Sequence, residues 1–481
     1  MERLVKIGSV APVHSSQVGE SFVGVGFEKL DRGAFDPEMA YDKIAETGAK
    51  WARIQSGWAR TEKTKGVYDF AWLDAIVDNL IRRGLRPWLC LCYGNALYTE
   101  AAKPVFGAVG CPPIRTDEEK QAWRSYVTAT AKHYRGRIGW YEVWNEPDGE
   151  WCWKHGPSGT EYGEFAIATA EAIRAADPEA KVIGGSTCRL NGMEWIAEVF
   201  ETGAGKYFDA LTYHAYSADE LKIFSRVRAL RAMCRLVNPA MELIQGETGA
   251  QSRSDGAGAM HGAAWTPRRQ AKFIARHYAV DLMLEVKFGS YFSCMDMMEA
   301  LNGTAGDKAT YRDFGYFGLL GAEFDENNVA RGTVTPKPAF RTVQTLAAIF
   351  REEFTTEDLP IQIVQRENFV TTVSPRLLRI DDSLALQYQG FRRPNGSAAF
   401  LWWNPTELLT TEYEATASFD CSLLPEVEPR LVDLVDGSIY AIPEDMISRG
   451  KGSFRRFMHL PVRDYPLMLV FGEFILPGGK R

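Results

Sequence analysis

The chain has 481 residues, 46% hydrophobic and 24% charged, with a formal net charge of −7. That length exceeds one ordinary core, so one large barrel with an appended domain is the expected organisation. The acidic balance argues against nucleic acid or an anionic membrane as partner, because both attract basic surfaces. No run reaches the ~18 apolar residues of a membrane-spanning helix, and Met1 to Lys6 carries no apolar signal-peptide core. The sequence as given reads as cytoplasmic, or as secreted if a signal peptide has been removed. Its eight cysteines are scattered, unlike those of a small disulfide-stapled scaffold. Cys90 and Cys92 fall on one face of an apolar strand, where they act as small hydrophobes. The motifs require neither metal nor organic cofactor.

Strand-like and helix-like segments alternate from residue 20 to about 352. Phe22–Phe27 opens the series, with helical periodicity over Pro37–Glu46 and a strand at Trp51–Ile54. Leu73, Ile76, Val77 and Leu80 share one helical face that ends near Gly84. Pro87–Cys92 is the third strand, and Thr116 to Glu119 forms a capping box for a helix running to Tyr134. Gly139–Trp144 is the fourth strand and Thr160–Ala175 its helix. Lys181–Gly185, Met193–Phe200, Asp209–Tyr213, Glu220–Val237 and Glu242–Gln245 continue the alternation. Pro267, at the first helical position, opens a helix to about Glu285. An eighth strand is expected over Tyr291–Met295 and a last helix over Pro338–Phe350. Eight βα units predict an α/β chain with a (β/α)8 TIM barrel; a doubly wound sheet fits less well, since no Gly-rich phosphate turn is present. Over 353–481 the runs shorten and alternate, with hairpin signals at Pro394-Asn395-Gly396 and Asp436-Gly437. This part reads as a C-terminal β-sandwich, to which residues 1–19 can add a strand.

Chemistry concentrates at two strand ends. Tyr141 to Pro147 runs an apolar strand into Asn145-Glu146 before a proline, and Glu247 closes the run Leu243 to Glu247. Active sites of such barrels lie at the carboxyl ends of their strands. Two glutamates there suit a retaining glycosidase, one as proton donor and one as nucleophile. Gly246 and Gly249 beside Glu247 allow close approach of backbone to a ligand.

This placement on strands 4 and 7 resembles clan A of the retaining glycoside hydrolases, and the chain is most similar to glycoside hydrolase family 39. Trp144-Asn145-Glu146-Pro147, the segment Trp51 to Tyr98 and Pro336 to Phe340 carry the likeness, with families 5 and 30 as relatives of the same pattern. The resemblance implies that Glu146 is the acid/base, Glu247 the nucleophile, and Asn145 the partner of a sugar 2-hydroxyl. It also implies that Tyr216 of the pair His214-x-Tyr216 donates to Glu247, and that Arg53 keeps Glu247 ionised. Glu28, with Lys29 and Asp31, follows the first strand, where the three are expected either to meet sugar hydroxyls or to form salt bridges. The pattern departs twice: Tyr93-Gly94-Asn95 lacks a histidine found in some members, and Ser293 to Met297 lacks the usual tryptophan platform. Trp58, Trp151, Trp153 or Trp265 is expected to replace that platform. The implied substrate is a β-linked oligo- or polysaccharide, and family 39 points to β-xylosidase action. An open cleft lined by Trp58, Trp151 and Trp153 favours an endo-β-glucanase instead. An inactive sugar-binding protein on the same fold is the alternative from another class.

Overall fold

A computed structural model describes residues 3–299, 314–324, 330–371, 386–427 and 429–476. After β1 (Val5–Ser9), eight parallel strands close into a barrel: β2 (Gly24–Gly26), β3 (Trp51–Gln55), β4 (Arg86–Leu91), β5 (Trp140–Val143), β6 (Lys181–Thr187), β7 (Ala210–His214), β8 (Glu242–Thr248) and β9 (Gly289–Tyr291). Gly24 closes the ring: a Cβ there would lie 2.3 Å from Gly289 O, so only glycine lets β2 and β9 meet.

The helices are α1 (Tyr41–Ala45), α2 (Trp58–Thr61), α3 (Ala71–Arg82), α4 (Asp117–Tyr134), α5 (Gly159–Ala176), α6 (Glu194–Glu201), α7 (Glu220–Val237), α8 (Pro267–Met283) and α9 (Pro338–Ile349). Leu73, Ile76, Val77 and Leu80 are the buried face of α3, as their spacing requires. At the start of α4, Thr116 Oγ1 accepts from Glu119 N at 3.1 Å, and Glu119 Oε2 accepts from Thr116 N at 2.9 Å. The helix expected over Pro37–Glu46 is divided into a 3-10 turn, Pro37–Met39, and the short α1.

The eighth strand ends at Tyr291 rather than running to Met295. Beyond it the backbone changes partners: Cys294 N donates to Gly26 O, and Met295 forms a bridge with Leu320. Small hairpin-like pairs follow, β10 (Met297–Met298) with β11 (Phe314–Gly315) and β12 (Leu320–Phe324) with β13 (Ala330–Pro336).

The remaining strands are β14 (Thr355–Glu357), β15 (Ile361–Thr371), β16 (Gln387–Arg392), β17 (Ala398–Trp403), β18 (Tyr413–Cys421), β19 (Arg430–Asp433), β20 (Ser438–Ala441), β21 (Ile447–Arg449), β22 (Arg455–Arg463) and β23 (Leu467–Phe471). They form two antiparallel sheets, ordered β1-β20-β19-β23-β17-β16-β14 and β15-β18-β22-β21, so the N-terminal strand β1 sits at one edge. Tyr413, Ala415, Ala417 and Phe419 alternate into the core of this sandwich. Its core includes Ala271 and Ala275 from α8, which therefore packs on both domains. Among the described residues no helix is long and apolar enough to cross a membrane.

Candidate active site

The barrel interior is filled from its amino end. Trp51, Trp88, Ile183, Ala210, Ile244 and Phe288 form one buried cluster, with Trp51 stacked on Phe288 at 4.0 Å between ring centroids. Side chains on a strand alternate between faces, so Arg53, two residues after Trp51, points into the same interior one layer higher. Its guanidinium lies 5.5 Å from the centroid of the Trp88 ring.

Arg53 organises that layer. Nε donates to Glu142 Oε2 at 2.8 Å, Nη1 to Glu247 Oε2 at 2.7 Å and Nη2 to Asn145 Oδ1 at 2.7 Å. Glu28 Oε1 is 3.5 Å from Nη1. Glu142 was not anticipated as a site residue. Its signal is a charge inside the apolar run Tyr141 to Val143, two positions after the inward-facing Trp140.

Glu247 rises from the carboxyl end of β8, where the pairing shifts so that His214 opposes Glu247 rather than Gly246. Such a shift re-aims one side chain. Gly246 leaves room for it, since a Cβ there would lie 2.1 Å from Thr212 Oγ1. Tyr216 OH donates to Glu247 Oε1 at 2.6 Å. Burial pushes the Glu247 carboxyl up, but the His214 and Arg53 charges and the Tyr216 hydroxyl outweigh it and hold it below the usual carboxylate range.

Glu146 follows β5 on a bent backbone: Trp144 and Glu146 have φ of 67° and 46°, left-handed values rare outside glycine. A packed cage holds this bend, with Trp144 against Tyr93, Trp123, Trp153 and Phe165 and its Nε1 donating to Cys152 O at 2.7 Å. Two donors reach the Glu146 carboxyl: His214 Nδ1 at 2.8 Å and Trp151 Nε1. Burial opposes a charge on His214, yet Glu247, Glu142 and Glu146 together carry it up to about 10. His214 is therefore an imidazolium at neutral pH, donating from both nitrogens.

One ligand atom each of Glu146, His214 and Glu247 lies within 4.8 Å of the others, a spacing that could also hold a cation. A metal would have to displace the His214 proton, which three carboxylates stabilise.

The centre thus gathers Glu146, Glu247, Asn145, Arg53, His214, Tyr216 and Trp151. Four expectations need correction. Trp58 is fully buried against Tyr98, Trp123 and Tyr126, with Nε1 donating to Glu62 Oε2 at 2.5 Å. Trp153 is likewise buried, packed on Trp144, Tyr162 and Phe165. Both are core rings and offer no sugar platform; Trp265, which donates to Met260 O, is buried as well. Glu28 is 1% exposed, so it lies under the cleft rather than at its mouth. Among the described residues neither of its oxygens has a hydrogen-bond partner, and burial pushes its carboxyl up to about 8, against the pull of Arg53. Nearby, Lys29 pairs with Glu299 at 2.5 Å and Asp31 with Arg32 at 2.9 Å, which occupies both.

Known proteins resemble this chain in sequence over about a third of its length and in fold over most of it. A β-xylosidase of Geobacillus stearothermophilus is 28% identical over 163 residues, 32% of this chain and 32% of that protein. One from Caldicellulosiruptor saccharolyticus is 28% identical over 195 residues, 36% of this chain and 38% of that protein. These matches span about a third of each relative's length. Among solved structures, a family 39 glycoside hydrolase from Bacteroides cellulosilyticus WH2 has a TM-score of 0.64 at 15% identity, covering 96% of this chain and 83% of that one. A monomeric β-xylosidase from Caulobacter crescentus CB15 has a TM-score of 0.58 at 18% identity, covering 97% of this chain and 98% of that one. Both likenesses speak for the barrel-and-sandwich fold. The model of the family described as Glycosyl hydrolases family 39 matches residues 51–420, most of the sequence, and the chain belongs to that family.

Proposed function

We propose that the protein is a retaining β-glycosidase acting on β-xylosides. The observation that carries this reading is the facing pair Glu146 and Glu247, with carboxylate oxygens within 4.8 Å of each other. Retaining enzymes hold their two carboxyl groups roughly 5–5.5 Å apart, whereas inverting ones leave room for a water between them. The surroundings of Glu247 suit a nucleophile, since Arg53, His214 and the Tyr216 hydroxyl all favour its ionised form.

In the first step a Glu247 oxygen attacks the anomeric carbon as Glu146 passes its proton to the departing glycosidic oxygen. A glycosyl ester on Glu247 results. In the second step Glu146 takes a proton from water, the water oxygen attacks the same carbon, and Glu247 leaves as carboxylate. His214 holds Glu146 toward the bond throughout. The β-xyloside assignment rests on the β-xylosidases among the relatives. The burial of Trp58 and Trp153 removes two of the three platforms an endo-glucanase cleft would have used.

An activated 2-deoxy-2-fluoro-β-xyloside should trap the ester, giving a mass increase on the peptide carrying Glu247. Glu146→Ala should lower kcat/KM for a poor leaving group by about 10²–10⁴ and regain rate with azide on an activated aryl xyloside. Dialysis against a chelator should leave turnover unchanged. If wild type and Glu247→Ala are equally inert over aryl β-glycosides and β-linked oligosaccharides, the chain is a sugar-binding protein instead.

A further inference from the structure

Arg189 lies just beyond β6, and its guanidinium sits 5.5 Å from the centroid of the Trp151 ring. Trp151 is 43% exposed and donates its indole N–H to Glu146. The two segments are tied together by Asp148, itself 3% exposed and two residues past Glu146. Its carboxylate accepts from Thr187 Oγ1 at 2.5 Å, Cys188 N at 3.0 Å and Arg189 N at 2.8 Å. The backbone carrying Arg189 is thereby fixed relative to Glu146.

A general acid stands beside the glycosidic oxygen, so a ring bonded to that acid borders the space for the leaving group. Two neighbouring carboxylates are already engaged, Asp148 by the donors above and Glu146 by His214 and Trp151. Glu150 is exposed and adjoins Trp151 in sequence. Arg189 is exposed, and among the described residues its guanidinium forms no ion pair. An indole face beside an uncompensated guanidinium recognises a ring bearing a carboxylate, since arginine pairs with carboxylates through two parallel hydrogen bonds and aromatic faces accept flat rings.

Resting on the glycosidase reading above, we propose that Trp151 and Arg189 form a leaving-group subsite for a ring that carries a carboxylate. Two sources share this chemistry, an aromatic acid and a sugar acid. The test uses 4-carboxyphenyl β-xyloside and a β-xylosyl glucuronate disaccharide, each beside its own methyl ester. Arg189→Gln should lower kcat/KM about tenfold for the acid of the recognised source, mainly through KM, and by about twofold or less for its ester. Arg189→Lys should recover part of the loss. Added salt should shrink the acid-to-ester preference of the wild type.

Parallel losses on acid and ester, or no loss on either acid, would overturn the proposal and leave Arg189 as a support for the indole. Should the wild type cleave none of the four, calorimetric binding of 4-hydroxybenzoate decides. Binding that Arg189→Gln loses keeps the subsite while removing the β-xyloside reading, and no binding removes both.

Discussion

Arg53, itself without solvent exposure, is bonded on three nitrogens to three different partners. Replacing it by methionine strands the buried Glu142 carboxylate, and the expected loss is about 3–5 kcal/mol by denaturant titration, as for other broken buried pairs. Arg53→Met as stable as wild type would mean Glu142 finds another partner. Glu28 behaves in the opposite sense. Its folded carboxyl is raised from 4.5 to about 8, so the folded state holds a proton that the unfolded chain has released. That contribution is complete below the unfolded value and is lost as pH rises through about 8. Glu28→Gln, which cannot ionise, should therefore gain stability relative to wild type as pH rises from about 4.5 to about 8 in thermal melts. Parallel curves would contradict the assignment. The two glutamates that face each other could be picked out of the sequence because each ends a strongly apolar strand. Trp58 and Trp153 were misread because a tryptophan's identity does not say which way its ring faces. Only the packing of Tyr98, Tyr126, Tyr162 and Phe165 around them decides that.

Elements differ in how local their causes are. The capping box of α4 needs only residues three apart, which is why it could be read directly; Thr116→Ala should cost about 1 kcal/mol in thermal unfolding without changing KM. The end of β9 depends on Gly26 and Leu320, distant in sequence, and no local pattern reveals it. The shift between β7 and β8 is of the second kind and brings Tyr216 and His214 onto the two glutamates. Tyr216→Phe removes a hydrogen bond to a charged group, worth about 1.5–3 kcal/mol. It should lower kcat for aryl β-xylosides by roughly tenfold or more, with the fold intact by circular dichroism. An unchanged kcat would remove Tyr216 from any role in setting Glu247.

At the scale of the whole molecule, α8 joins the two domains. Lys272 Nζ pairs with Asp464 of the sandwich at 2.7 Å and with Glu412 at 2.5 Å. Arg276 Nη1 donates to Thr406 O at 2.8 Å and Nη2 to Glu220 Oε2 at 2.6 Å, while Trp403 Nε1 donates to Glu220 Oε1 at 2.9 Å. These are cations in a helix, buried by a domain far along the chain. Cutting after residue 352 exposes Ala271 and Ala275 and leaves Lys272 and Arg276 without their partners in the sandwich. The shortened chain should be insoluble or lack a cooperative melt, and a soluble, active 1–352 fragment would show the sandwich to be dispensable.

Gln270 to Leu282, nearly the whole of α8, are buried without interruption, so this helix has no solvent face. Its amide hydrogens have no local opening by which to meet solvent without separating barrel from sandwich. In deuterium labelling they should exchange last and at the rate of global unfolding, making α8 the slow-exchanging spine of the chain.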